Sequence, residues 1–350
     1  MRDYDVAQWV VTNPTSIRGL VERIDECPFD TVFVVDSQGR LQASVTDGDV
    51  RRALLAGHGL DSSANHAFNT DFLSLVEGEQ NAQRIADGSA RGLGELPIID
   101  ASGVLVAVEC QFVRKEPSRR PNRVVIMAGG KGLRLRPLTS RTPKPLLVVG
   151  NKPILQHIIE SLRDDGFSDF VLAVNYLGQQ IEEYFTDGSS LGITIEYLRE
   201  EKELGTAGAL SLLNHRVSHP VVVMNGDLVV SASISKMVDQ HELMGAKVTV
   251  GAISLETQIP FGVLETTGQW VTSITEKPVY RDLVNAGIYV VNPEVLKLVP
   301  HNQKLDMPEL IASQIATESV SVFPMHETWA DLGRKADLDR ASEIVQGRNL

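Results

Sequence analysis

Residues 124–147 read Val-Val-Ile-Met-Ala-Gly-Gly-Lys-Gly-Leu-Arg-Leu-Arg-Pro-Leu-Thr-Ser-Arg-Thr-Pro-Lys-Pro-Leu-Leu. The first four are apolar and rich in β-branching, the pattern of a short strand buried on both faces of a parallel sheet. A loop follows with glycines at 129, 130 and 132. Without a Cβ, that backbone takes positive φ and brings its N–H groups against a phosphate chain. Arg134 and Lys144 accompany the loop, whereas an ordinary turn needs one glycine and no fixed cations. The spacing is not that of a P-loop, which needs Gly-Lys-Ser/Thr opening a helix, nor of a dinucleotide fold, which enters a helix after the third glycine. Pro137 and Pro143 forbid both.

Downstream of this stretch, strand and helix patterns alternate, as in a parallel sheet covered on both faces. Ile154, Leu155, Ile158, Ile159 and Leu162 mark one helix face, residues 170–174 a strand, 179–185 a helix and 193–198 a strand of alternating faces. Arg199-Glu200-Glu201-Lys202-Glu203-Leu204-Gly205-Thr206-Ala207-Gly208 puts small residues at a strand-to-helix turn, where a flat ring approaches the backbone. Val221 to Met224 lead through Asn225 and Gly226 to Asp227, a carboxylate at the carboxyl end of a buried strand, where open α/β sheets bind ligands. Capping of the next helix is the alternative role for that aspartate. Trp329-Ala330-Asp331-Leu332-Gly333 offers a second acid, Pro260-Phe261-Gly262-Val263 a turn, and Thr275-Glu276-Lys277-Pro278 and Asn285-Ala286-Gly287 two further polar segments. Asp306 is expected to cap a helix, and residues 336–345 are expected to form a closing one.

These segments, in this order, resemble the sugar-1-phosphate nucleotidyltransferases, or nucleotide-sugar pyrophosphorylases, over about residues 123–345. The N-terminal pattern Gly-Gly-x-Gly-x-Arg-Leu-x-Pro-Leu-Thr…Pro-Lys-Pro is met at every fixed position, and Glu203 departs from the proline often found before the leucine. The resemblance implies an α/β, Rossmann-like (GT-A-like) domain with a mixed, mostly parallel sheet. It implies that an NTP and a sugar 1-phosphate give an NDP-sugar and pyrophosphate, with Arg134, Lys144 and Asp227 as catalytic residues. Ala128, Gly129, Gly130, Gly132, Gly205 and Thr206 would bind the nucleotide, and Gly262, Glu276, Lys277 and Asn285 the sugar phosphate. Asp227 and Asp331 would hold Mg²⁺, since two hard oxygens beside a triphosphate suit it. GTP with a hexose or hexosamine 1-phosphate is favoured by residues 204–210, with Glu200 or Glu201 accepting from guanine. UTP, TTP and CTP stay open, as does a non-catalytic nucleotide sensor. No hexapeptide repeat follows, so acetyl transfer is not expected.

The first third carries an internal repeat. Val34-Val35-Asp36-Ser37-Gln38-Gly39-Arg40-Leu41 is echoed by Ile98-Ile99-Asp100-Ala101-Ser102-Gly103-Val104-Leu105, each a strand, an Asp-x-x-Gly turn and a second strand. Helical spacing precedes both copies, at Ile17, Leu20, Val21 and Ile24 and more weakly around Ile85 and Leu93. Residues 1–115 resemble a tandem pair of CBS domains, which implies regulation or dimerisation and an AMP, ADP or ATP site at Thr46 and Asp49. The second copy has Cys110 and Val113 there. Capping of the helix after Thr46 by Asp47 and Asp49 is the competing reading. Residues 116–122, polar and proline-containing, read as a linker, and 123–350 as the nucleotidyltransferase domain.

At 350 residues, 43% hydrophobic and 22% charged, the composition is that expected of a soluble globular protein of two domains. A net charge of −12 argues against nucleic acid as main partner. No apolar run reaches membrane-spanning length and the first ten residues are no secretory signal, so no membrane association is expected. Two cysteines make no disulfide framework, and a cytoplasmic setting is expected, with a homodimer or higher homo-oligomer.

Overall fold

The computed structural model describes residues 6–12, 14–27, 30–91, 93–110, 119–213, 217–317, 319–333 and 337–338. Val113, residues 116–118 of the expected linker and nearly all of the expected closing helix lie outside them. The chain forms two compact units, Met1–Glu116 with Ser254–Asp282, and Pro117–Ile253 with Leu283–Leu350. No described helix is long and apolar enough to cross a membrane.

In the first unit the sequence repeat is a structural one. Its first half is β1 (Val10–Thr12), α1 (Ile17–Glu26), β2 (Thr31–Val35), β3 (Leu41–Thr46) and α2 (Asp47–Leu55). Its second half is β4 (Leu75–Val76), α3 (Ala82–Ala90), β5 (Glu95–Ile99) and β6 (Leu105–Cys110). Each half builds a three-stranded sheet, one parallel and one antiparallel pairing, with a register shift at the same place. The aspartate of each repeated turn explains its position, because Asp36 Oδ1 accepts from the N–H groups of Gln38 and Arg40, and Asp100 Oδ1 from those of Ser102 and Val104. The two turns then bond each other, Leu41 N–H to Gly103 O and Leu105 N–H to Gly39 O, both 3.0 Å.

Helix α1 starts where Ser16 Oγ accepts from Gly19 N–H, and it buries Ile17, Leu20 and Ile24 against Trp9 and Phe33. Each such side chain contributes roughly 1.5–3 kcal/mol. Helix α3 ends at Ala90, and the Leu93 N–H bonds back to Gly88 O at 2.9 Å. Thr31 Oγ1 donates to Glu95 Oε2 at 2.9 Å, linking the two halves, and burial raises the Glu95 pKa above the ordinary range. An acid raised in the folded state carries no penalty below its unfolded pKa and a full one above its folded pKa, so stability falls as pH rises between them. Glu95→Gln, which keeps an acceptor for Thr31, is expected to raise the melting temperature at pH 7 and leave it unchanged near pH 3.5; equal shifts at both pH values would contradict this.

The second unit opens with β7 (Val124–Met127), followed by a small hairpin of β8 (Val148–Val149) and β9 (Lys152–Pro153) and by α4 (Ile154–Asp164). Next come β10 (Asp169–Val174), α5 (Gly178–Phe185), β11 (Thr194–Arg199), the short α6 (Gly205–Gly208), β12 (Val221–Asn225), β13 (Leu228–Val230), α7 (Ile234–Met244) and β14 (Val248–Gln258). The ribbon β15 (Gly262–Thr267) and β16 (Trp270–Glu276) belongs to the first unit. The chain closes with β17 (Val279–Val291), α8 (Pro293–Leu296), α9 (Met307–Ile315), β18 (Val320–Met325) and β19 (Trp329–Asp331). One seven-stranded sheet runs β11-β10-β7-β12-β17-β14-β18. β7 pairs in parallel with β10 and β12, β10 with β11 and β14 with β18, while β12 and β17 run antiparallel, giving the mixed, mostly parallel sheet.

Alternation along β7 explains the two cores. Val124 and Ile126 enter the layer packed by α4, α5 and α7, and Val125 enters the layer packed by α8 and α9. Both layers leave the carboxyl ends of β7 and β12 side by side. Residues 119–122 are bonded to this unit: Arg119 Nε to Ser168 Oγ at 2.6 Å, Arg120 to Asp239, and Asn122 Nδ2 to Pro220 O at 2.8 Å. Their polar composition reflects these bonds.

Candidate active site

The glycine loop leaves β7 at Ala128, whose N–H bonds Ala173 O of β10 at 2.8 Å. Its three glycines have different reasons to be glycine. Gly132 takes φ +58, and a Cβ there would lie 2.9 Å from Thr139 Cγ2 and 3.2 Å from Lys144 Cβ. Buried Thr139 donates to Gly132 O at 2.8 Å and locks that turn. Gly129 is pressed on Asn175 and on Glu200 Oε1, 3.0 and 3.1 Å from a Cβ. A Cβ at Gly130 would meet nothing within 4 Å, and Gly130 lines a cleft of ≈ 590 Å³. Arg134, Lys144, Asp227 and Gly333 line the same cleft.

The two acids meet because β13 and β19 pair antiparallel, Leu228 opposite Asp331, and Leu332 N–H bonds Asp227 O at 3.0 Å. Gly226, just before Asp227, has room for no side chain, since a Cβ would stand 2.7 Å from Met127 O. Lys144 is buried, and its ammonium bonds Asp227 Oδ2 and lies 3.9 Å from Asp331 Oδ1. Arg134 and Asp331 flank Gly333, the guanidinium nitrogens and Asp331 Oδ1 each 3.2 Å from where its Cβ would be. Burial first, and then the Asp227 charge, raise the Asp331 pKa, against the pull of Lys144 and Arg134. Asp331 Oδ1 is buried and accepts no hydrogen bond among the described residues. A buried, orphaned carboxylate oxygen beside a second carboxylate is a donor set that fits a hard divalent cation.

The structure brings Arg134, Lys144, Asp227, Ala128, Gly130 and Gly132 into the lining of one cleft, with Asp331 Oδ1 3.9 Å from the Lys144 ammonium. Residues 200–208 make structural contacts of their own. The side on which a Gly205 Cβ would stand is filled by Leu305 and Asp306, and that of Gly208 by Gln303 O. Thr206 serves α9: its Oγ1 accepts from Met307 N–H at 2.9 Å and its N–H donates to Asp306 Oδ1 at 3.0 Å. Half-buried Glu200 accepts from Leu204 N–H at 2.9 Å, so that carboxylate shapes the loop, while Glu201 is exposed.

Asn285 is exposed; its Nδ2 donates to Tyr289 Oη and its Oδ1 accepts from Gly287 N–H, both 2.9 Å. On the ribbon of the first unit, Gly262 pairs with Glu276, and Lys277 takes φ +48 with its N–H bonded to Phe261 O at 3.2 Å. Thr46 and Asp49 form a reciprocal cap on α2, with Thr46 Oγ1 donating to Asp49 Oδ2 at 2.6 Å and Thr46 N–H to the same oxygen at 2.8 Å. The capping role is the one their geometry fills. Thr139, Asn175 and Lys131 were not singled out from the sequence. Thr139 stands inside the quoted motif seven residues after Gly132, and a polar residue due to be buried beside a glycine turn was the available signal.

The nucleotidyl transferase family pattern matches residues 123–347. The chain is similar to the mannose-1-phosphate guanyltransferase of Debaryomyces hansenii, 32% identical over 225 residues, 61% of either chain. It is similar to that of Saccharomyces cerevisiae, 32% over 222 residues, 61% of this chain and 62% of that one. The UTP–glucose-1-phosphate uridylyltransferase of Synechocystis sp. is 30% identical over 252 residues, 65% of this chain and 64% of that one. The match thus spans about three fifths of the length of these relatives. Among solved structures, HddC from Yersinia pseudotuberculosis shares the fold, with a TM-score of 0.51 at 23% identity over 64% of this chain and 99% of that one. Covering well over half of the sequence, and including the glycine loop and both clustered acids, the match identifies this chain as a member of the nucleotidyl transferase family.

Proposed function

We propose that this chain transfers a nucleotidyl group from an NTP, GTP first, to a hexose 1-phosphate, releasing pyrophosphate. The observation that carries this reading is the cluster of Lys144, Asp227 and Asp331, of which Lys144 and Asp227 line the same cleft as Gly130. In the reaction a sugar-phosphate oxygen attacks the α-phosphorus, the bond from that phosphorus to the β-phosphate bridging oxygen breaks, and pyrophosphate leaves with the electron pair. A sugar phosphate is ionised at neutral pH, so no general base is needed, and the protein's task is positioning and charge neutralisation. Asp227 and Asp331 would hold a divalent cation, Mg²⁺ first, which supplies positive charge against the phosphates. The glycine loop presents backbone N–H groups to the triphosphate, Arg134 balances charge on the departing pyrophosphate, and Lys144 orients Asp227 and meets the α-phosphate. The assignment of Glu276 and Lys277 to the sugar phosphate rests on their motif alone.

The names of the guanyltransferase relatives support GTP and make mannose 1-phosphate the first acceptor to try; the uridylyltransferase relative keeps UTP in the panel. The repeated topology of the first unit supports a CBS-type pair, in which Thr46 and Asp49 cap α2. Pyrophosphate release from four NTPs against several sugar 1-phosphates tests the reading, and no release with any combination would refute it.

Two glycines give a contrast. A Cβ at Gly130 meets nothing within 4 Å, so Gly130→Val is expected to fold normally and to raise the KM for NTP by about 10-fold or more by adding bulk to a residue that lines the cleft. Gly132→Ala strains a left-handed turn, and a lowered melting temperature is expected to accompany its loss of activity. Normal NTP affinity in Gly130→Val would remove the glycine loop from the site.

A further inference from the structure

Lys131 and Glu203 face each other in the same cleft, Nζ to Oε1 2.6 Å, with the side chains 48% and 60% exposed. The nucleotidyl-transfer mechanism uses neither. Lys131 rides on the loop that Thr139 locks through Gly132 O, and Glu203 precedes Leu204, whose N–H is held by Glu200. Two anchored backbones therefore present a movable cation and a movable anion to one another beside Gly130. An exposed pair of this kind contributes little to stability, so Lys131 is readily given up to a stronger anion. A triphosphate is one, and a carboxylate lining the same cleft repels it until its own charge is compensated. The Lys131 hydrogen bond and charge, with a further contribution from Lys304, keep the Glu203 carboxyl below its usual range, so Glu203 is ionised at neutral pH and has a second cation near it.

We propose that Glu203 holds Lys131 across the cleft before nucleotide enters and yields it to the triphosphate on binding, which makes Lys131 a phosphate ligand and Glu203 a charge gate that sets nucleotide affinity. This rests on the nucleotidyl-transfer reading of the same cleft. The gate acts on charge and not on the base, so its effect is the same for every NTP and extends to inorganic tripolyphosphate, which has no base.

The test is calorimetric titration of the full chain with inorganic tripolyphosphate, together with KM and kcat for four NTPs, in wild type, Glu203→Gln, Lys131→Gln and Lys131→Arg. Glu203→Gln is expected to tighten tripolyphosphate and lower the KM of all four NTPs alike, by about 3- to 10-fold. Lys131→Gln is expected to weaken both by about 10-fold, and Lys131→Arg to restore them. The change falls in KM. A Glu203→Gln effect confined to one base would mean that Glu203 reads the base, and unchanged tripolyphosphate affinity in both Gln variants would reduce the pair to a surface ion pair; either overturns the proposal. Absence of pyrophosphate release from the wild type would refute the nucleotidyl-transfer reading, while the tripolyphosphate titration still decides the gate.

Discussion

Asp227→Asn is expected to lower kcat for pyrophosphate release by about 10³-fold or more while the protein stays folded. The carboxylate is lost but not its shape, and an amide oxygen can still accept from the Lys144 ammonium. Removing one charge from a largely buried pair costs roughly 1–3 kcal/mol, enough to shift the melting point but not to unfold the unit. The two readouts therefore separate chemistry from stability. The circular dichroism spectrum should match the wild type and the melting curve should stay cooperative at a lower midpoint, whereas turnover should collapse. A variant within tenfold of wild-type kcat would take Asp227 out of the reaction and leave it as the structural partner of Lys144.

Lys144→Met is the second large effect, and its pH dependence is as informative as its rate. Met fills the space of the buried lysine stem without the charge, so Asp227 and Asp331 lose the cation between them. Asp331 already has a raised pKa from burial and from Asp227, and Lys144 is one of the groups holding it down. Without that cation the folded-state pKa rises further above the unfolded value near 3.8. For an acid raised in the folded state, stability is full below the unfolded pKa and is lost as pH climbs through the folded one. The melting-point deficit of Lys144→Met against wild type should therefore widen from pH 4 to pH 8, with kcat/KM down by about 10³-fold at neutral pH. A deficit that narrows with rising pH would mean that Lys144 does not compensate these acids.

Much of the second unit was legible in the sequence because its signals are local. Four apolar residues, a glycine loop and a lysine between prolines fix β7 and the turn into the cleft, and Asp227 at a strand end needs only the position of β12. The meeting of Asp227 with Asp331 was implied by resemblance alone, since the pairing of β13 with β19 joins segments far apart in the chain and three-residue strands carry almost no pattern. Residues 205–208 show a related gap between composition and contacts. Small residues announce a close approach but not its partner, and the surfaces nearest Gly205 and Gly208 belong to residues 303–306. The Lys131–Glu203 pair was invisible because nothing local links the glycine loop to residue 203, which sits in a charged run where a solvated face is the ordinary expectation. In the first unit, the repeated Asp-x-x-Gly turns gave the duplication, and Thr46 with Asp49 showed how one spacing serves a helix cap and a ligand motif equally well.

The claim on which the account turns is that Asp227 and Asp331 jointly bind a divalent cation together with the triphosphate. Electron paramagnetic resonance of Mn²⁺ titrated with a non-hydrolysable GTP analogue, in wild type and in the Asp227→Asn, Asp331→Asn double variant, measures it directly. The account predicts Mn²⁺ binding that tightens with nucleotide in the wild type and is lost in the double variant. Equal Mn²⁺ binding by the two proteins in the presence of nucleotide would contradict it.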